Sequence, residues 1–125
     1  MSETLLSRLQ SATGPSRELD RAIAESLGYQ VEVIRVPDDH PIFKPGGGLE
    51  FMVKDGQRTA IPPWTESIDA ALTLMPEGFY WDVSSNPNGF LAEVWATTVF
   101  DGHSKATPAI ALLIAIERAQ EDRKL

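Results

Sequence analysis

Carboxylates and imidazoles are the side chains here with the widest chemical range, and they gather at two places. Asp38-Asp39-His40 sets two carboxylates beside an imidazole, a donor mix that suits a divalent transition metal. Adjacent residues rarely aim at one ion, and the other histidine, His103, stands alone after a turn, so a solvated acidic loop is the favoured reading. Asp82 and Glu93 form the second place. If Asn86-Pro87-Asn88-Gly89 is a hairpin turn, Ser85 faces Phe90, Trp81 faces Val94, Phe79 faces Ala96 and Asp82 faces Glu93. Two carboxylates held close in a dry place push one pKa up, as an acid/base pair requires; charges on an exposed strand are the plainer alternative.

Other chemistries lack their parts. Gly46-Gly47-Gly48 is followed by the strand-like LEFMV and has no Lys-Ser/Thr pair, so it is not a phosphate loop. There is no G-x-S-x-G elbow and no H-E-x-x-H. Cysteine is absent, which removes thiol catalysis, disulfides and Cys-based metal sites. The sequence names no cofactor.

The elements that must position these residues follow from periodicity and punctuation. Leu5, Leu6 and Leu9 predict a short helix over 4–10, which Thr13-Gly14-Pro15 interrupts. Ser16 caps a second helix over 17–27 with Leu19, Ala22, Ile23 and Leu27 on one stripe and Gly28 to end it. Residues 29–36 alternate as a half-buried strand, and Pro37 stops it. The stretch 37–48 holds three prolines and three consecutive glycines and predicts an irregular loop. Asp55-Gly56 joins 49–53 to 58–61 as a hairpin.

In WTESIDAALTLMPEGFYW, Thr65 or Ser67 caps a helix whose stripe is Ile68, Ala71, Leu72 and Met75, and Pro76 with Gly78 closes it. Residues 79–83 form a strand, and 90–100 form the longest strand, ended by Asp101-Gly102. Phe79, Trp81, Val83, Ala92, Val94 and Ala96 then share one face. Tyr80, Asp82, Leu91, Glu93, Trp95, Thr97 and Val99 share the other. Apolar and aromatic residues on both faces predict cover on both. Thr107-Pro108 opens a last helix, apolar nearly all round and therefore buried. With the 68–75 helix it covers one face; the 17–27 helix is the expected cover for the second. Trp64, Tyr80 and Trp95 are the residues to look to for a partner surface, with Trp81 read as core and Trp64 as a plug at its corner unless exposed.

At 125 residues, 42% hydrophobic and 23% charged, the chain suits a single globular domain over 1–125. Its net charge of -7 and scattered basic residues work against binding to nucleic acid, whose phosphates demand a basic face. The N-terminus has no secretory pattern and the longest apolar run, 109–116, is too short to span a bilayer, so no membrane is expected. A soluble, cytoplasmic protein fits these features.

The segments LLSRLQSATGPSRELDRAIAESLG, WTESIDAALTLMPEGFYW and KATPAIALLIAIERA resemble a family of small uncharacterised phage and prophage proteins described as an "ABA sandwich" domain. Trp64 stands where that family has tyrosine, and its usual cysteine in the last helix is missing. The resemblance implies α-β-α layering and a phage origin, and with it the cytoplasm of a bacterial host, and brings no catalytic residues with it. The run GHSKATPAIALLIAI after two strands also resembles the end of a double-stranded RNA-binding domain, but such a domain needs several lysines there and this chain offers Lys105. The expectation is an α+β fold, an α-β-α sandwich with a central, mainly antiparallel sheet and helices on both faces. The expected role is a non-enzymatic phage accessory protein that binds a protein partner or its own copy; the alternative is a small hydrolase using a metal or the Asp82 and Glu93 carboxylates.

Overall fold

The computed structural model describes residues 4–35 and 48–124. Asp38, Asp39 and His40, and most of the loop expected over 37–48, lie outside the described residues. Along the chain come α1 (Leu5–Gln10), α2 (Arg17–Ser26), β1 (Gln30–Arg35), β2 (Gly48–Lys54), β3 (Gln57–Ala60), α3 (Ile68–Leu72), β4 (Tyr80–Asn86), β5 (Gly89–Trp95), β6 (Val99–Ser104) and α4 (Pro108–Lys124). The fold is α+β. Its strands form two antiparallel three-stranded sheets, ordered β1-β2-β3 and β4-β5-β6, where the sequence had suggested one. The chain divides into two compact units, Met1–Asp20 with Pro62–Leu125, and Arg21–Ile61.

In the Arg21–Ile61 unit, Asp55 (φ 55°) and Gly56 (φ 78°) both adopt the left-handed conformation of a two-residue hairpin turn, as Asp-Gly predicts. That turn fixes Lys54 opposite Gln57 and Phe51 opposite Ala60. Ion pairs lace the unit: Arg21 with Glu50, and Arg58 with Glu32 at 2.6 Å. Among the described residues of this unit, Ile23, Ala24, Met52 and Ile61 are buried apolar side chains.

The larger unit is built on α4. Every residue from Ala109 to Ile116 is buried, because α4 lies against β4, β5 and β6 while α1 and α3 pack on α4 itself. An all-round apolar helix is the sequence consequence of having neighbours on several sides. The approach to β6 is close enough that glycine is required. A Cβ on Gly102 would lie 2.7 Å from the Ala115 nitrogen and 2.9 Å from the Ile114 Cβ, and nearer still to the Ala111 carbonyl oxygen.

This contact overturns one expectation. Residues 90–100 are two strands, since the chain turns back over Ala96-Thr97-Thr98 and β6 pairs Phe100 with Val94 and Gly102 with Ala92. Asp101-Gly102 is the middle of a strand, and its glycine answers to the helix above it.

Side-chain hydroxyls join the segments that precede the helices. Thr65, fully buried, accepts from the Ser16 N–H at 2.8 Å, and its own N–H donates to Asp20 at 2.9 Å. Asp20 also pairs with Arg17 at 3.0 Å. Thr107 donates to the Thr65 carbonyl at 2.8 Å while accepting from the Ile110 N–H, so the cap of α4 is held by the same residue. With Thr65 so engaged, Ser67 is the cap of α3, accepting from the Ala70 N–H at 3.2 Å.

Adding one carbon at Gly102 should therefore cost about 1–3 kcal/mol through overpacking. Gly14, with open space around its Cα, serves as the control. Urea unfolding should show a lower midpoint for Gly102→Ala and little change for Gly14→Ala; equal midpoints would contradict the close contact.

Candidate functional site

The β4-β5 turn sets the register anticipated from Asn86 to Gly89. Ser85 pairs with Phe90, Trp81 with Val94 and Asp82 with Glu93. The alternation of side chains then gives the β4-β5-β6 sheet two unlike faces. Ala92, Val94 and Gly102 point to α4 and are buried. Among the described residues of this unit, no helix lies over the second face. Tyr80 is 66% exposed and Val99 58%.

Three rows cross that open face. Tyr80 pairs with Trp95 and Trp95 with Val99; Asp82 pairs with Glu93 and Glu93 with Asp101; Ser84 pairs with Leu91 and Leu91 with His103. An aromatic and apolar row thus runs beside an acidic one. The Tyr80 and Trp95 rings are stacked, 6.1 Å between centroids at 28°, so two broad side chains lie against each other across the strands. Asp101 is drawn to Arg118 of α4 at 3.0 Å, with His103 Nε2 at 3.6 Å. Among the described residues, Asp82 and Glu93 have no ion pair.

The sequence-selected residues therefore separate. Tyr80, Trp95, Asp82 and Glu93 come together on one surface. Trp64 does not join them: it is 2% exposed, its Nε1 donating to Thr73 Oγ1 at 3.3 Å, so it plugs the corner before α3. Trp81, read as core, is 45% exposed, because α4 sits toward β5 and β6 and leaves the edge strand β4 partly uncovered. The two carboxylates lie on an open strand surface, with Asp82 exposed and Glu93 half-buried, outside any enclosed dry pocket. No group of three or more His, Asp or Glu residues suited to a metal occurs among the described residues.

A second feature was invisible in the sequence. A cleft of about 680 Å³ opens between the end of α1, the β4-β5 turn and the segment leading into α4, lined by Gln10, Ala12, Thr13, Asn86, Asn88, Phe90, His103, Ser104, Lys105 and Ala106. A shallower hollow adjoins it and shares Asn86, Asn88, Phe90 and Lys105. Three segments far apart in sequence meet there, and no spacing rule brings them together.

Searches of family models, curated proteins and solved structures found no match to this chain. No helix among the described residues is long and apolar enough to cross a membrane.

The tryptophan placement is open to a direct check. Acrylamide should quench the fluorescence of Trp81 strongly and that of Trp64 weakly, read in the pair Trp64→Phe and Trp81→Phe. Removing Trp64 should leave emission more quenchable than in the parent chain, and removing Trp81 less so; the reverse order would move Trp64 to the surface.

Proposed function

We propose that this chain is a non-enzymatic binding module whose open β4-β5-β6 face receives a protein partner, acting as an accessory protein of the phage and prophage type its sequence resembles, within the bacterial cytoplasm. One observation carries the reading: exposed Tyr80, stacked on half-buried Trp95, and exposed Val99 form a row directly beside an acidic row, on a sheet face without helical cover among the described residues of its unit. Aromatic side chains contribute large contact area, the property of interface anchors.

Charge says what kind of partner fits. A chain of net charge -7 that presents Asp82 and Glu93 side by side without an ion pair among the described residues favours an apolar partner surface edged with lysine or arginine. A second copy docked face to face would bring the acidic rows toward each other, which costs free energy. The partner's element then stands where the second helical layer of an α-β-α sandwich belongs, with α4 as the first.

Photo-crosslinking amino acids placed at positions 80 and 99 test this in the phage-bearing or lysogenic host, with exposed Asp69 of α3 as the control position. Positions 80 and 99 should give the same discrete adduct, which Glu93→Lys weakens and position 69 does not form, and light scattering should report a monomer. No adduct at 80 and 99, or one equally strong from 69 and indifferent to Glu93→Lys, would refute the assignment.

A further inference from the structure

The cleft beside the β4-β5 turn has its own chemistry and shares His103 with the open face. Its volume, about 680 Å³, falls in the range of small-molecule sites, which bury a ligand on apolar walls and orient it with a few polar groups. Phe90 supplies the flat apolar wall. Gln10, Asn86 and Asn88 supply carboxamides, and the Asn86 oxygen already accepts from the Asn88 N–H at 2.8 Å, leaving its NH2 as a donor.

Lys105 fixes the sign of the ligand. Among the described residues it makes no ion pair, so its charge is not taken up by one of the chain's own carboxylates. The neighbouring acid across His103, Asp101, is taken up by Arg118. The position of Lys105 is built in by the fold. Gly89, at φ 129°, lets the chain at Ser104 and Lys105 pass against the turn; a Cβ there would lie 2.5 Å from the Ser104 carbonyl oxygen and 3.0 Å from the Lys105 Cα.

We propose that this cleft binds a small molecule carrying a planar ring and one anionic group, a carboxylate or a phosphate. The ring lies on Phe90, the anion meets Lys105, and the carboxamides take the ring's polar edge. A polynucleotide is disfavoured by the net charge of -7, whereas a single anionic group needs one lysine.

Amide NMR titration of the full chain with phenyl phosphate, benzoate, benzyl alcohol and inorganic phosphate tests the proposal. Phenyl phosphate or benzoate should give saturable shifts at Asn88, Gly89 and Lys105 below about 10 mM, and the stronger of the two names the anion. Benzyl alcohol and inorganic phosphate, each lacking half of the ligand, should bind at least about tenfold more weakly. Lys105→Met should lower the anion's affinity by about tenfold and bring it to that of benzyl alcohol, with the rest of the spectrum unchanged. Absence of saturable shifts at these residues, equal binding of benzyl alcohol, or indifference to Lys105→Met would each overturn it.

Discussion

The seat of α4 on Gly102 is the constraint from which the larger unit follows. The helix backbone approaches the strand within the radius of a missing Cβ, so β6 must carry glycine at that point and the helix must be apolar where it lands. Ala111, Ala115 and Ile114 meet the strand there, and α4 packs also against β4, β5, α1 and α3. Packing two further helices onto α4 concentrates the apolar burial of the unit on one side of the sheet. The other side is left to Tyr80, Trp95 and Val99.

Polar groups then fix what apolar packing alone would leave loose. Buried hydroxyls and carboxylates are costly unless bonded, and Thr65 and Asp20 are bonded to partners as much as 49 residues away in sequence. The same threonine backbone accepts from the cap of α4. The start of the chain, the corner before α3 and the last helix are therefore held in one arrangement, which in turn sets α1 against α4 and shapes the wall of the cleft.

Much of the local structure was legible because turn chemistry is local. Asn86 to Gly89 fixed the β4-β5 register, and with it the pairing of Asp82 with Glu93; Asp55-Gly56 fixed the smaller hairpin. Thr107-Pro108 marked the start of α4. The errors came from residues whose reason is distant. Gly102 looks like a turn glycine until the helix over it is placed, and Ala96-Thr97-Thr98 turns the chain without glycine or proline to mark it. Thr65 offers itself as a helix cap in sequence and is a buried tie in space. The cleft escaped for the same reason: Gln10, Phe90 and Lys105 are neighbours only once α1 and the β4-β5 turn are both in position.

A sheet face without helical cover among the described residues of its unit, carrying an aromatic row, is a surface on which the proposed binding can be built without catalytic groups, with the acidic row beside it as the proposed selector by charge. Everything in that account depends on the face being open in the free protein. A soluble paramagnetic agent added to the isotope-labelled chain measures this directly through relaxation of side-chain protons. Tyr80 and Val99 should relax strongly while Ile110, Leu112 and Ile114 of α4 remain protected. Protection of Tyr80 and Val99 to the level of α4 would contradict the account.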